Sequence, residues 1–288
     1  METGQPSRTA LATAYARAYH QVAPEPRVLI DPLAAAIAGV RAEELSEAAV
    51  ATPGESSADA GLRRLRRLWV AGRSRLAEDT IAEAAADGVR QAVILGAGLD
   101  TFAYRNPHVD LRVFEVDHPA TQTWKRERLA QAGIEVPASL TFAPVDFETA
   151  TLADGLATAG FARDEPAVFV WLGVVMYLAR DTVRETLRYL GNQTTPMHVV
   201  ADYLCPSSAA APEYRATLEA RSERVADLGE PWLSYFTGAE MTAELRAAGF
   251  TEVDDHNAPD LLADYIGRTE VGPDPELLNA RIVRAART

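Results

Sequence analysis

Hydrophobic positions along the 288-residue chain follow one rhythm up to about residue 88 and another beyond it. In the first stretch "TALATAYARAYHQVA" is rich in alanine and other helix formers. The pattern restarts after Pro26 in "LIDPLAAAIAG", where Asp31 followed by Pro32 predicts a capped helix start. "ATPGESSADAG" reads as a surface loop. From Leu62 onward, Leu65, Trp69, Gly72, Leu76 and Thr80 recur at helical spacing and predict a long amphipathic helix ending near Gly88.

After Gly88, short apolar runs alternate with helical stretches. "QAVIL", "LRVFEVD", "LTFAPVD", "AVFVWLG" and "MHVVADYL" read as strands, separated mostly by helices in "ATQTWKRERLAQAG", "TLADGLATAG" and "DTVRETLRYLG". Strands this uniformly apolar, alternating with helices, predict an α/β fold with a parallel sheet covered on both faces. "GAEMTAELRAAGF" adds a helix and "NARIVRAAR" a final edge strand. The expected organisation is a helical N-terminal cap over residues 1–88 and a sheet domain over 89–288. A partly helical insertion at 206–236, ending "GEPWLSYF", would cover one end as a lid.

Charge and cysteine usage narrow the chemistry. A net charge of −13 argues against a nucleic-acid partner, because that surface repels phosphate. The basic run "RRLRRLW" reads as the solvated face of a helix. Cys205 is the only cysteine, which rules out an internal disulfide and a cysteine-rich zinc site, and no metal is expected. The N-terminal stretch lacks the apolar core of a signal peptide, and the longest apolar run, Ala167 to Leu178, is too short for a bilayer. The chain therefore reads as cytoplasmic, with no membrane partner.

Candidate chemistry gathers at the strand ends. Gly96 and Gly98 follow the first strand, Glu115 and Asp117 close the second, and Asp146 with Phe147 the third, while Trp171, Leu172 and Gly173 close the fourth. In open parallel sheets ligands sit beyond these carboxyl ends. The types suit an adenosine: a carboxylate for ribose hydroxyls, an acid for the adenine amino group, and an aromatic face for the ring. Thr101 stands where a dinucleotide fingerprint wants its third glycine, so NAD is disfavoured. A phosphate-binding loop would need Gly-Lys-Ser or Gly-Lys-Thr, and the single lysine, Lys125, lies elsewhere. S-adenosylmethionine, which has no phosphate, fits.

The ordered set "AGRSRLAED", "AGLDTFAYR", "FEVDHPATQTWKRERL", "PVDFE" and "GVVMYL" resembles the leucine carboxyl methyltransferase family of S-adenosylmethionine-dependent enzymes, and most of all its bacterial polyketide O-methyltransferase-like branch. The resemblance implies a Rossmann-like seven-stranded methyltransferase sheet. It implies that Arg73 pairs with the carboxylate of the cofactor's methionine portion, a task suited to a forked guanidinium. Gly96 and Gly98 would line methionine and ribose, Asp117 would hold the ribose, and Asp146 with Phe147 the adenine. Arg17 would lie near the cofactor. Two positions depart from the family pattern: Leu172 stands where a glutamate is common, facing the cofactor's ammonium, and Phe102 where an arginine is usual.

The implied activity is O-methylation of a carboxyl or phenolic group on a small, polyketide-like metabolite. Tyr177 is the candidate for orienting the acceptor oxygen. Tyr203 is expected at the same rim, with Trp232 and Phe236 as an apolar lid. His118 is expected to pack near the adenosine, and His20 to lie on the cap surface. Leu172 and Phe102 keep open a binder that transfers no methyl, and the family name keeps open a protein C-terminal carboxyl methyltransferase. A dehydrogenase is disfavoured by Thr101. Oligomeric state is not legible.

Overall fold

Where apolar runs meet glycine or aspartate, strands begin and end. The computed structural model describes residues 8–24, 26–41, 43–45, 57–146, 149–227, 229–268 and 279–287. Strands β1 (Gln91–Leu95), β2 (Arg112–Asp117), β3 (Leu140–Pro144), β4 (Ala167–Trp171) and β5 (Met197–Leu204) coincide with the five predicted runs. β1 and β4 are buried at every position, as central strands covered on both faces must be.

The seven-stranded sheet runs β3-β2-β1-β4-β5-β7-β6. Its order reverses between β1 and β4, which opens a crevice at their carboxyl ends. Two expectations are corrected. The last strand, β7 (Ala280–Arg287), is not an edge: it lies antiparallel between β5 and β6, so the sheet is mixed. On that side the edge is β6 (Glu252–Asn257), opposite the other edge, β3; its sequence "EVDDHN" lacks an apolar run. With one ladder and little burial, β6 needs no apolar run that composition could betray.

Alternate residues of β1 serve opposite faces. Ala92 and Ile94 pack with Leu65, Leu68, Trp69 and Ile81 of α3 (Ser57–Ala86), and with Leu261 and Leu262 of α9 (Ala258–Ile266). Val93 and Leu95 pack with α5 (Leu152–Thr158), α6 (Arg180–Gly191) and α8 (Gly238–Ala247). α8 begins with a reciprocal cap between Thr237 and Glu240. α4 (Pro119–Ala132) lies between β2 and β3, and α7 (Pro212–Asp227) forms the helical part of the insertion. Among the described residues, no helix is long and apolar enough to cross a membrane.

The cap is built on α1 (Arg8–Val22) and α2 (Ala34–Ala38), whose Ala14, Ala18 and Ile37 pack on Leu99 and Leu129. α2 starts at Ala34 rather than Pro32, after a turn in which Asp31 Oδ1 accepts from the Leu33 amide and the Asp31 carbonyl from the Ala34 amide. His20 is fully buried, not on the surface: its Nε2 accepts from the amides of Val28 and Leu29 at 3.0 and 3.2 Å. Arg67, in the run expected to be solvated, is also buried and donates to the Pro24 carbonyl.

Candidate functional site

The turn after β1 folds because two backbone positions take conformations that side chains resist. Gly96 has φ +63° and Gly98 φ +42°. A Cβ on Gly96 would stand 2.3 Å from Val174 Cγ2, so the turns after β1 and β4 close against each other at the switch point. The amides of Gly96 and Ala97 donate to the Val116 carbonyl, and the Gly98 amide donates to Asp117 Oδ2 at 2.6 Å. Asp117 thus organises the turn from the end of β2. Its Oδ1 accepts from the His118 amide, and burial raises its pKa against the pull of these two amides.

Glu115 lies two residues earlier on the same face of β2. It is 1 % exposed and pairs with Lys125 Nζ at 2.7 Å. Burial raises its pKa, opposed by the ammonium. His118 caps α4 through its own side chain, its Nδ1 accepting from the Ala120 amide.

Arg73 arrives from α3, buried and aimed at the crevice. Its Nη1 donates to Asp202 Oδ2 at 2.5 Å, and Asp202 Oδ1 accepts from the Gly173 amide at 2.5 Å. Arg73 Nε is buried with no hydrogen-bond partner among the described residues. Gly173 leaves the guanidinium approachable, since a Cβ there would lie 3.3 Å from Nη2. Leu172 is partly buried against the α3-side core, and Phe102 is wholly inside that core. Asp146 is half-buried beyond β3, where its carbonyl accepts from the amides of Thr149 and Ala150. Phe147 lies outside the described residues.

A second buried cluster ties the cap to the glycine turn. Arg17 Nη2 donates to the Leu99 carbonyl at 2.5 Å, and its Nε to Asp31 Oδ2 at 3.2 Å. Thr101 also donates to Asp31 Oδ2, and Arg105 binds both Asp31 and Glu78 of α3. The first turn of α1 covers the site itself. Ala10 Cβ stands 3.2 Å from where a Gly98 Cβ would be, and the Thr9 amide donates to Glu230.

Of the acceptor-side residues, the structure keeps two near the crevice and removes two. Tyr177 follows β4 in a short turn, with its hydroxyl 3.4 Å from Thr9 Oγ1. Trp232 packs on the same cluster as Leu172 and Tyr177. Its segment is fixed by the amides of Leu233 and Ser234, which donate to the Met176 carbonyl. Tyr203, by contrast, does not face the rim: it is 1 % exposed, packs in the cluster that holds Met241 and Leu245 of α8, and donates to Asp255 Oδ1 of β6 at 2.8 Å. Phe236 is fully buried in the opposite core, with Arg180 over its ring, and forms no lid.

Asp202 is the site residue that the strand-end survey passed over. It interrupts the buried run of β5, and the aspartate in "VVADYL" is its only signal. The ion cluster of Asp31 and Glu78 is not legible locally, since their partners come from distant segments.

These residues fit an adenosine-bearing amino acid. The crevice offers a carboxylate beside a glycine turn, and next to it a buried guanidinium with an unpartnered Nε–H that a ligand carboxylate would satisfy.

Comparison with known proteins agrees with this chemistry. Residues 10–191 match the model of a family described as leucine carboxyl methyltransferase. The chain is 36% identical over 180 residues to a Bacillus subtilis (strain 168) protein named "Putative S-adenosyl-L-methionine-dependent methyltransferase YktD", covering 62% of this chain and 59% of that protein. It is 34% identical over 212 residues to a Mycobacteroides abscessus protein with the same description, covering 73% and 68%. Among solved structures, a duf574 family protein from Streptomyces avermitilis superposes with a TM-score of 0.52 at 17% identity, covering 95% of this chain and 97% of that one. That likeness shows the fold alone.

Proposed function

Because the chain belongs to the leucine carboxyl methyltransferase family, we propose that it transfers the methyl group of S-adenosylmethionine to an oxygen of a small metabolite. The observation that carries this reading is the junction at the switch point: the Gly96–Gly98 turn held by Asp117, beside the buried Arg73. When bound, S-adenosylmethionine supplies a methyl group activated by its sulfonium. The chain's own residues hold and align. Asp117 accepts from ribose hydroxyls through the lone pairs that its two amides leave free. Asp146, with Phe147, takes the adenine. Arg73 takes the methionine carboxylate, while Arg17 fixes the turn from the cap side through Leu99.

The partner oxygen is oriented by Tyr177, under a cover formed by the first turn of α1 and the Trp232 segment. Such alignment supplies several kcal/mol, with about 7–11 kcal/mol available in well-oriented reactions. A carboxyl acceptor is already ionised at neutral pH, whereas a phenol, with a pKa of about 10, must lose its proton as it reacts. The "WLGV" form after β4 is similar to polyketide-tailoring members, which supports a flat small-molecule acceptor over a peptide. A second reading, binding without transfer, draws on the uncharged Leu172 at the crevice.

Calorimetric titration with S-adenosylmethionine, S-adenosylhomocysteine and NAD in parallel tests the cofactor. Micromolar binding of the first two and none of NAD is expected. Binding of NAD alone would sink the proposal. Product mass after incubation with candidate acids and phenols then separates transfer from mere binding.

A further inference from the structure

The buried ion pair beside the crevice carries a feature that the family resemblance does not supply. An α-amino acid end presents both charges, an ammonium and a carboxylate, a few bonds apart. The site meets it with both charges as well: Arg73 from α3 and Asp202 from β5, bonded to each other and 8 % and 2 % exposed. The segment at the end of β4, Trp171-Leu172-Gly173-Val174, contributes no carboxylate of its own.

We propose that Asp202 is the residue that binds the cofactor's ammonium group in this chain, with Arg73 beside it as the partner of the carboxylate. This rests on the cofactor reading above. Each Asp202 oxygen accepts one hydrogen bond in the structure, one from Arg73 and one from the Gly173 amide, which leaves a lone pair on each for an ammonium. Arg73 in turn has its buried Nε–H to offer a carboxylate. A zwitterion bound there, its ammonium at Asp202 and its carboxylate at Arg73, would keep the buried cluster neutral. A ligand carrying only one of the two charges leaves that cluster with a net charge in a place that disfavours it. Gly173 makes the approach open, because a side chain there would stand against the guanidinium. The Gly173–Asp202 bond also locks the turn after β4 to β5, so the ion pair and the turn are set as one unit.

The test uses three probes on the full chain: S-adenosylmethionine, its decarboxylated form, which keeps only the amine, and 5′-methylthioadenosine, which lacks both charged groups. Asp202→Asn is expected to weaken the first two at least about tenfold and to change the third by less than about twofold. Arg73→Gln is expected to weaken S-adenosylmethionine at least about tenfold and not to weaken the decarboxylated form, whose lone ammonium then leaves the cluster neutral. Equal weakening of all three probes in Asp202→Asn makes Asp202 a scaffold residue and overturns the assignment. So does an unchanged affinity for the decarboxylated form. Should Asp202→Asn fail to fold, the wild-type chain decides. The deaminated thioether analogue of S-adenosylhomocysteine must bind at least about tenfold more weakly than S-adenosylhomocysteine itself, and equal binding overturns the proposal. A wild-type chain that binds neither S-adenosylmethionine nor methylthioadenosine fails at the earlier step, the cofactor reading, and is told apart by that.

Discussion

Gly96→Ala and Gly133→Ala form a matched pair that measures how tightly the two crevice turns close. The two glycines have nearly the same backbone conformation, φ +63° and +65°. An added Cβ at Gly133 meets nothing within 4 Å, whereas at Gly96 it falls 2.3 Å from Val174 Cγ2. Gly133→Ala therefore isolates the cost of a left-handed backbone, about 1–2 kcal/mol. Gly96→Ala adds overpacking against Val174, about 1–3 kcal/mol more. Urea unfolding of the two variants, at unchanged slope, reads the difference as separated midpoints. Adding Val174→Ala to Gly96→Ala removes the opposing methyls and is expected to recover most of the steric part, while giving no such gain beside Gly133→Ala. Equal losses from the two single variants would falsify the argument, because they would mean that the β1 and β4 turns do not touch. Gly96→Ala protein that still folds is expected to lose S-adenosylmethionine binding, since relief of the clash must move the turn that Asp117 holds.

Three further outcomes follow from the same geometry. Asp117→Ala is expected to weaken S-adenosylmethionine at least tenfold, about 1.4 kcal/mol, because both the ribose acceptor and the Gly98 anchor are lost; unchanged affinity by calorimetry removes Asp117 from the site. Tyr177→Phe is expected to lower turnover more than cofactor affinity, and wild-type values for both would assign Tyr177 to the core. His20, held neutral by burial and by nearby Arg67 and Arg27, has its pKa lowered from 6.5 to about 4. Between those values the unfolded chain binds a proton that the folded chain refuses, so stability is whole above about pH 6.5 and falls by about 3 kcal/mol as pH drops to about 4. His20→Gln keeps an acceptor for the two amides and is expected to flatten that slope in urea titrations; an identical slope would place the acid sensitivity elsewhere.

Much of the fold was written in local pattern. The first five strands, the helices between them and the glycine turn all announce themselves through apolar runs or through backbone that only glycine accepts. The same holds for Asp117, which stands at a strand end beside that turn. Where a residue's role depends on a distant partner, sequence reading misassigned it. Tyr203 and Phe236 look like rim and lid aromatics, yet the antiparallel insertion of β7 beside β5, and α8 packed behind them, turn that side of the domain into core. His20 and Arg67 look like surface groups of helices, but the Val28 and Leu29 amides use His20 as an acceptor and the Pro24 carbonyl takes Arg67 as a donor.

What the sequence by itself determined is the α/β order and the strand ends where a ligand can sit, because hydrophobic period and glycine geometry act within a few residues. Only the tertiary structure decided which charges stand together in the crevice. Arg73 and Asp202 are separated by 129 positions, and Arg17 and Leu99 by 82, and each pair meets because α3 and α1 pack across the sheet ends. A buried ion is tolerated only beside its opposite, so its meaning rests with a partner that no local pattern can name.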